Sequence, residues 1–536
     1  MNGGGWRLLR EAKCTGQASL ALALSAGQRA GMVFLPTWLG TELCSAFIVV
    51  VVVARLAKLW NVVDAVLLGI ERYVPLEPSE IEQLSRGALG GSAARAPSAA
   101  GTTNPKKRKA AAKKPDEGRA KEAAGKGPEK ELASLLRTDF ASASDVASGQ
   151  WWGQLHMLLT VVLVLLVVLG VSSTERCLRP GNLQRTDLSA CLCLALIGMS
   201  LRYQLGLLTE AEGSANGVIL RLGVASFLLA TVCCNVLDVG GAWPCLEFDV
   251  QRGAQQLGFG VNSWLANTAK AVPHLPEDVR ASLSEPPQTE GLQTALAAVV
   301  LPVITATWTV AVFFPAVRFG QLYEHIADRR SSGFSYLWRM VHFWNYYSPL
   351  VVCTLWAPPL SRGVYVDYFG WCSHEAFERI RLCAVLSAAM LRLLLLRQCV
   401  QTQCLRSVGA MAARLQERAA PPSPADLQRL QAQIVYTRHF TTCIGSQYTA
   451  VAAGLLAPSL LLWRRTAPST TLGLCDAAQQ LGLGAQALAA ADESGGNYVG
   501  PVCAQSLVGY VVWSCHLIFF ICTAWGRFIG SAHMSE

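Results

Sequence analysis

The stretch AFERIRLCAVLSAAMLRLLLLRQC, residues 376–399, is apolar enough to lie in a bilayer, yet it contains four arginines. These are Arg379, Arg381, Arg392 and Arg397. A charged side chain is costly in the hydrocarbon region, so such arginines reach the interface, face the bundle interior or bind an anionic group. A voltage sensor needs arginine at every third position over several turns, and this stretch lacks that repeat.

The composition of the whole chain is that of a membrane protein. Hydrophobic residues make up 52% of its 536 residues, charged residues only 15%, and the mean hydropathy is +0.33. Ordinary globular chains carry about 25% charged residues. Because a spanning helix needs roughly 20 mainly apolar residues, the sequence predicts an all-α, polytopic transmembrane helix bundle of about eight to nine spans. The predicted spans are 36–55, 152–172, 188–208, 217–237, 293–316, 340–358, 379–399, 440–463 and 506–526.

The distribution of Lys and Arg orients these spans, because cytoplasmic loops carry the excess of basic residues. Residues 55–150 contain 16 of them, including the run KKRKAAAKK at 106–114, so this segment is predicted to be cytosolic. Alternation of the spans then places 317–339 and 400–433 on the same side and 238–292 on the other.

The sequence predicts four regions. Residues 1–35 are an N-terminal extension or a targeting segment, and 36–86 contain the first span followed by an interfacial helix. Residues 87–150 are predicted to be a disordered basic linker, because their composition cannot bury enough apolar surface to offset chain entropy. The bundle occupies 151–536. The basic run either fixes topology or holds the linker on anionic inner-leaflet lipid. No nucleic-acid partner is expected of a chain with several spans.

Catalytic and metal-binding patterns are scarce. The sequence has no HExxH, no GxSxG, no phosphate-binding glycine-rich loop and no CxxC or mixed Cys/His metal spacing. We therefore expect no enzyme activity, no metal and no cofactor. Glu42 is the one acid placed well within a predicted span, which disfavours proton-coupled transport. Cys475 and Cys503 fall in one predicted outer loop, and we expect them to pair if that loop faces an oxidising compartment.

A cluster of charged residues is predicted at the inner leaflet. Arg392 lies roughly 7 Å deeper than Arg397 along a helix, which a snorkelling side chain can nearly span. Two further arginines and two acids of the turn between the third and fourth spans have the same predicted depth. The complete cluster is Arg202, Arg221, Arg392, Arg397, Glu210 and Glu212. It is interpreted either as a pocket for an anionic lipid headgroup or as an ion-pair network.

Several motifs resemble those of one protein family. They lie in the opening stretch, in FPAVRFGQ and in NYYSPLVVCTLWAPP. The residues that carry the resemblance are Phe377, Glu378, Arg381, Leu382, Arg392, Leu393 and Arg397, then Phe314, Pro315, Arg318 and Gln321, then Asn345, Pro349, Leu350, Trp356 and Pro359. In these positions the chain resembles the transmembrane protein 161 family of multipass membrane proteins, from about residue 40 onward. It departs from the family pattern in its long N-terminus, its Ala- and Gly-rich linker and its lack of glycosylation sites.

The resemblance implies a non-enzymatic protein that regulates other membrane proteins, such as ion channels, or stress responses, in the plasma membrane or an endomembrane. It implies no catalytic residues. The alternative is a transporter or lipid-binding membrane protein that uses the arginine cluster and the proline-kinked spans. The expected partners are membrane lipid, including anionic inner-leaflet lipid, and channel or other membrane proteins.

Overall fold

The fold is a bundle of long helices with a small sheet at one end. The computed structural model describes residues 50–59, 61–82, 136–149, 151–178, 188–210, 214–239, 241, 243–259, 295–327, 336–417, 422–466 and 503–535. The predicted N-terminal segment 1–35, the first part of the predicted first span and most of the predicted basic linker lie outside these residues.

Eleven of the helices in the described residues are labelled here in chain order. They are α1 (Val62–Leu67), α2 (Ala143–Ala147), α3 (Trp152–Leu178), α4 (Leu188–Glu210), α5 (Ser214–Val232), α6 (Leu301–Ala327), α7 (Tyr336–Thr354), α8 (His374–Leu394), α9 (Leu396–Glu417), α10 (Pro424–Thr466) and α11 (Gly509–Ser535). Shorter helical stretches cover 50–59, 78–82 and 250–259. Single π-helical turns are Cys233–Leu237, Leu296–Val300, Gly363–Tyr368 and Ala504–Val508.

Six helices of the described part are long and apolar enough to cross a membrane. They lie at Trp152–Val171, Ser189–Gly206, Leu220–Leu237, Leu296–Tyr323, Pro424–Arg464 and Ala504–Ile529. The chain is thus a mostly helical multipass membrane protein, and the coarse fold prediction is confirmed. Two further predicted spans correspond to the helices α7 and α8, which are too polar to be counted with these six. Helix α8, for example, carries Arg379, Arg381 and Arg392.

The longest helix, α10, occupies the centre of the bundle. It runs for 43 residues and continues through Pro458. It contacts α3, α4, α8, α9 and α11, so most of its apolar surface is covered by protein rather than left for lipid. Buried hydroxyl side chains along α10, such as those of Ser446 and Ser459, donate to the carbonyl four residues earlier in the same helix. Their polarity is therefore satisfied without a partner from another helix.

The opening stretch of the sequence is not one helix, as it was predicted to be. Helix α8 begins five residues earlier than the predicted span, at His374, where the Ser373 side chain accepts the N–H of Ala376 as an N-cap. It ends at Leu394, and Leu395 leaves helical geometry with φ −87° and ψ 0°. Helix α9 starts at Leu396. Both Leu395 and Leu396 are buried, so the break lies inside the protein.

A two-stranded antiparallel sheet closes the predicted cytosolic end. Strand β1 (Glu71–Tyr73) pairs with β2 (Thr138–Phe140), and Arg72 lies opposite Asp139. The prediction of disorder over 87–150 is therefore wrong for 136–149, which form β2 and α2. The reason is ionic: Arg72 is 4% exposed, and its guanidinium lies 2.8 Å from the Asp145 carboxylate. Arg438 of α10 lies 3.2 Å from Asp139.

Helix α2 is held by its own N-terminal cap. The Ser142 hydroxyl donates to the Asp145 carboxylate over 2.7 Å, and the two residues form a capping box. The hydrogen bond from Ser142, with that from Arg72, lowers the pKa of Asp145 to about 2. The interfacial helix, predicted at residues 55–70, is divided between the helical stretch at 50–59 and α1. Val63 and Leu67 of α1 are fully buried against protein.

Helices α6 and α11 touch backbone to backbone. A Cβ atom added to Gly320 of α6 would strike the Thr523 carbonyl and the Arg527 amide, and one added to Gly526 of α11 would strike the Val317 carbonyl. Close crossings at small residues are typical of membrane bundles, where dispersion contacts rather than water exclusion hold helices together.

This crossing gives a first testable prediction. Gly320→Ala should lower the thermal midpoint of the purified protein in detergent, and the free energy of unfolding by about 1–3 kcal/mol, because two backbones must separate. The control is Gly198→Ala on α4, where an added Cβ meets nothing within 4 Å. That change should be neutral or stabilising by up to about 1 kcal/mol through helix propensity. Equal effects of the two substitutions would contradict the close crossing.

Candidate functional site

Arg392 lies in the interior of the bundle. Its side chain is 6% exposed, and Nη1 donates to the carbonyl of Ala388, one turn earlier in α8, over 2.7 Å. Its Cζ lies 4.6 Å from the centroid of the Phe519 ring of α11. Nε and Nη2 have no hydrogen-bond partner. The Arg392 side chain therefore packs against protein and does not snorkel to the interface.

A small cavity of about 20 Å³ adjoins Arg392. Six helices, α6 to α11, contribute to its wall. The lining residues are Pro315, Phe319, Asn345, Arg392, Leu396, Cys399, Tyr448, Val451, Ala452 and Phe519. The wall is mostly apolar, and the few polar groups in it are therefore conspicuous.

Three polar side chains of this wall carry unpartnered atoms. Asn345 of α7 is 0% exposed, and neither Nδ2 nor Oδ1 makes a hydrogen bond. The Tyr448 hydroxyl of α10 is also buried and unpartnered. Native structures leave few buried polar atoms unsatisfied. With Nε and Nη2 of Arg392, these atoms form a polar centre, named here the arginine centre, which consists of Asn345, Arg392 and Tyr448.

The other arginines of the predicted cluster do not line the cavity at Arg392. Arg202 on α4 and Arg221 on α5 have exposed side chains, and neither lines the cavity at Arg392. Arg397 is exposed and donates to the Gly69 carbonyl over 3.5 Å. Equal depth on predicted helices does not fix the direction in which a side chain points, and the break at Leu395 adds a further rotation. Glu210 ends α4, but its side chain lies outside the described residues, as does Glu212 entirely.

Arg381 forms a second charged centre near the other end of α8. Its side chain is buried and donates to the carboxylates of Glu247 and Glu378. Its Cζ lies 4.9 Å from the centroid of the Trp356 ring. Arg362 lies 3.7 Å from Glu247. Arg381 is therefore the middle of an ion-pair network.

The Asp238 carboxylate holds the segment between residues 238 and 250 in place. Asp238 accepts the backbone N–H groups of Phe248, Asp249 and Val250 over 2.8–2.9 Å. Burial raises the pKa of Asp238, while these N–H groups favour its charged form. The contacts bring Phe248 against Trp356, with ring centroids 6.2 Å apart, and place the adjacent Glu247 beside Arg381.

The family of the chain follows from comparison of its whole length with known families. A family model described as predicted transmembrane protein 161AB matches residues 37–467. The chain belongs to the transmembrane protein 161 family. It matches no curated protein and no solved structure.

Several residues that carry the resemblance to the transmembrane protein 161 family lie in the two charged centres. Pro315, Asn345 and Arg392 line the cavity, while Trp356 and Arg381 meet in the ion-pair network. Pro315 and Pro349 are both buried within helices that continue through them.

A third contact of the family motifs joins α6 to α10. Arg318 donates to the Gln447 side-chain oxygen over 2.7 Å. Phe314 and Gln321, on the same helix, are half-buried.

The sequence missed three partners in these centres. The pairing of Glu247 with Arg381, 134 positions away, has no local signal in the sequence. Phe519 and His516 of α11 were not singled out. The His516 Nδ1 contacts the Val512 carbonyl, and its Nε2 is buried and unpartnered.

The cysteine prediction stays open. Cys503 is buried at the start of the turn that precedes α11, and Cys475 lies outside the described residues. Within the part of the chain that the structure describes, no group of three or more His, Cys, Asp or Glu side chains is positioned to hold a metal ion.

The ion-pair network gives a second prediction. Arg381→Lys should lower the thermal midpoint in detergent nearly as much as Arg381→Ala, because lysine lacks the planar fork that reaches two carboxylates and stacks on Trp356. Loss of one partner of a buried pair costs about 3–5 kcal/mol. Arg379→Lys is the control, since its pair with the exposed Glu375 is at the surface and contributes little. A silent Arg381→Lys would exclude the network as a stabilising element.

Proposed function

We propose that this family member is a non-enzymatic multipass protein of about eight to nine spans that regulates other membrane proteins, such as ion channels. The observation that supports this is the size of the cavity at the arginine centre, about 20 Å³. Sites for organic ligands typically measure about 300–1,000 Å³. A cavity of this size between α6 and α11 favours action through the outer surface over passage of a solute between these helices.

The outer surface carries exposed aromatic residues of the kind that hold a protein at a fixed depth in a membrane. Exposed aromatic side chains follow the π-helical turn after α7, at Tyr368, Phe369 and Trp371, and others begin α7, at Tyr336 and Trp338. Trp and Tyr are enriched at both membrane interfaces. We propose that these two groups lie at opposite interfaces of a plasma membrane or endomembrane, with the β1–β2 sheet on the cytosolic side.

The regulatory function has a direct test. Deletion of the protein from an excitable cell line should change the amplitude or gating of endogenous cation currents in whole-cell voltage clamp, and re-expression should restore them. The protein purified alone into liposomes should carry no current and no solute flux. Specific ion or solute flux through the purified chain would contradict the proposal and make it a transporter.

The alternative, anionic-lipid binding, is favoured by one observation. Arg202 and Arg221 are exposed on α4 and α5, two consecutive helices that are apolar enough to cross a membrane. An arginine there is stable when it reaches a headgroup phosphate at the interface.

This alternative predicts a lipid dependence. The double substitution Arg202→Gln with Arg221→Gln should reduce the number of anionic phospholipids retained in native mass spectrometry, because a neutral amide does not attract the phosphate. Arg252→Gln, at an exposed arginine in the predicted outer segment, is the control and should retain them. Equal retention by all three proteins would remove these arginines from lipid binding.

A further inference from the structure

The charge of Arg392 is not balanced by any carboxylate in the described part of the chain. Its contacts are the Ala388 carbonyl and the Phe519 ring, which are dipolar and quadrupolar partners rather than charges. Arg381 on the same helix, by contrast, meets two carboxylates. Leaving a buried charge uncompensated is costly, and the penalty is high in a membrane interior.

The polar atoms around the cavity are mainly donors. Arg392 offers the N–H groups of Nε and Nη2, Asn345 offers its Nδ2 amide, and Tyr448 offers its hydroxyl. An arginine, an asparagine amide and a tyrosine hydroxyl together can all donate hydrogen bonds to one anion. The Asn345 Oδ1 is the one acceptor of the set that must turn away from an anion.

The volume limits what this centre can hold. A cavity of about 20 Å³ exceeds the roughly 10–15 Å³ that one water-sized sphere requires. A phosphate group with its ester chain does not fit this volume. Water alone could satisfy hydrogen bonds but would leave the charge of Arg392 unbalanced.

We propose that the arginine centre binds one small monovalent anion of about the size of chloride. The anion accepts hydrogen bonds from Arg392, Asn345 and Tyr448 and balances the guanidinium charge. Because residues from α6 to α11 form the wall, occupancy stabilises the junction of six helices. This inference concerns the purified protein and does not rest on the proposed regulatory function, so each can fail without the other.

The test is the thermal midpoint of the protein in detergent, measured in potassium chloride and in potassium gluconate at equal ionic strength. Gluconate is too large for the cavity. Chloride should raise the midpoint of the wild type saturably, by about 3 °C at concentrations well above the dissociation constant, and bromide should replace it. Arg392→Gln should lose this dependence. Arg397→Gln, at an exposed arginine five residues further on, should keep it.

Two further variants keep the test decisive where Arg392→Gln does not fold. Tyr448→Phe removes one donor and should raise the half-saturating chloride concentration about tenfold. Asn345→Asp supplies a carboxylate within the cavity and should make the midpoint independent of chloride. The proposal is overturned by a wild type that melts alike in both salts, or by variants that all retain the wild-type response to chloride.

Discussion

A guanidinium group buried in a membrane protein needs partners in place of bulk water, and helix α8 carries two buried guanidinium groups, those of Arg381 and Arg392. Arg381 meets carboxylates from two different segments and an indole ring. Arg392 meets a carbonyl of its own helix and a phenyl ring. The neighbouring helices are arranged so that each guanidinium is enclosed. Helix α8 itself is too polar to be stable in lipid without them, and its position inside the bundle follows from its charge.

The remaining polar residues of the bundle are mostly satisfied locally. Thr305 and Thr309 of α6 donate to carbonyls one turn earlier, as the hydroxyls of α10 do. Small residues then permit close approach, as at Gly320 and Gly526. Such helices associate through shape rather than through polar contacts. Polar contacts between helices also occur, such as Arg318 to Gln447 and Ser200 to the Ala450 carbonyl. The arginine centre and the ion-pair network at Arg381 are the two that enclose a buried guanidinium in helix α8.

The sequence predicted what depends on local composition. Long apolar runs such as α3 are spans because no soluble fold hides so many consecutive apolar residues, and the family was recognised from short motifs. The sequence could not predict contacts between distant segments. The pairing of Glu247 with Arg381 and of Arg72 with Asp139 joins residues far apart in the chain. The break at Leu395 was not predictable, because no glycine or proline lies at it. The positions of Arg202, Arg221 and Arg392 along their helices could be predicted, but the direction around the helix axis in which each side chain points could not.

The β1–β2 sheet makes the chain between its strands a closed loop. Tyr73 and Thr138 lie opposite each other on paired strands, which are about 4.8 Å apart. The backbone hydrogen bonds between the two strands, the Arg72–Asp145 ion pair and the buried side chains of α1 hold the two ends of this loop together by non-covalent contacts. A single proteolytic cut within this loop would therefore leave two fragments that remain associated. The described residues before Val74 would remain attached through the strand pairing and the buried side chains of α1.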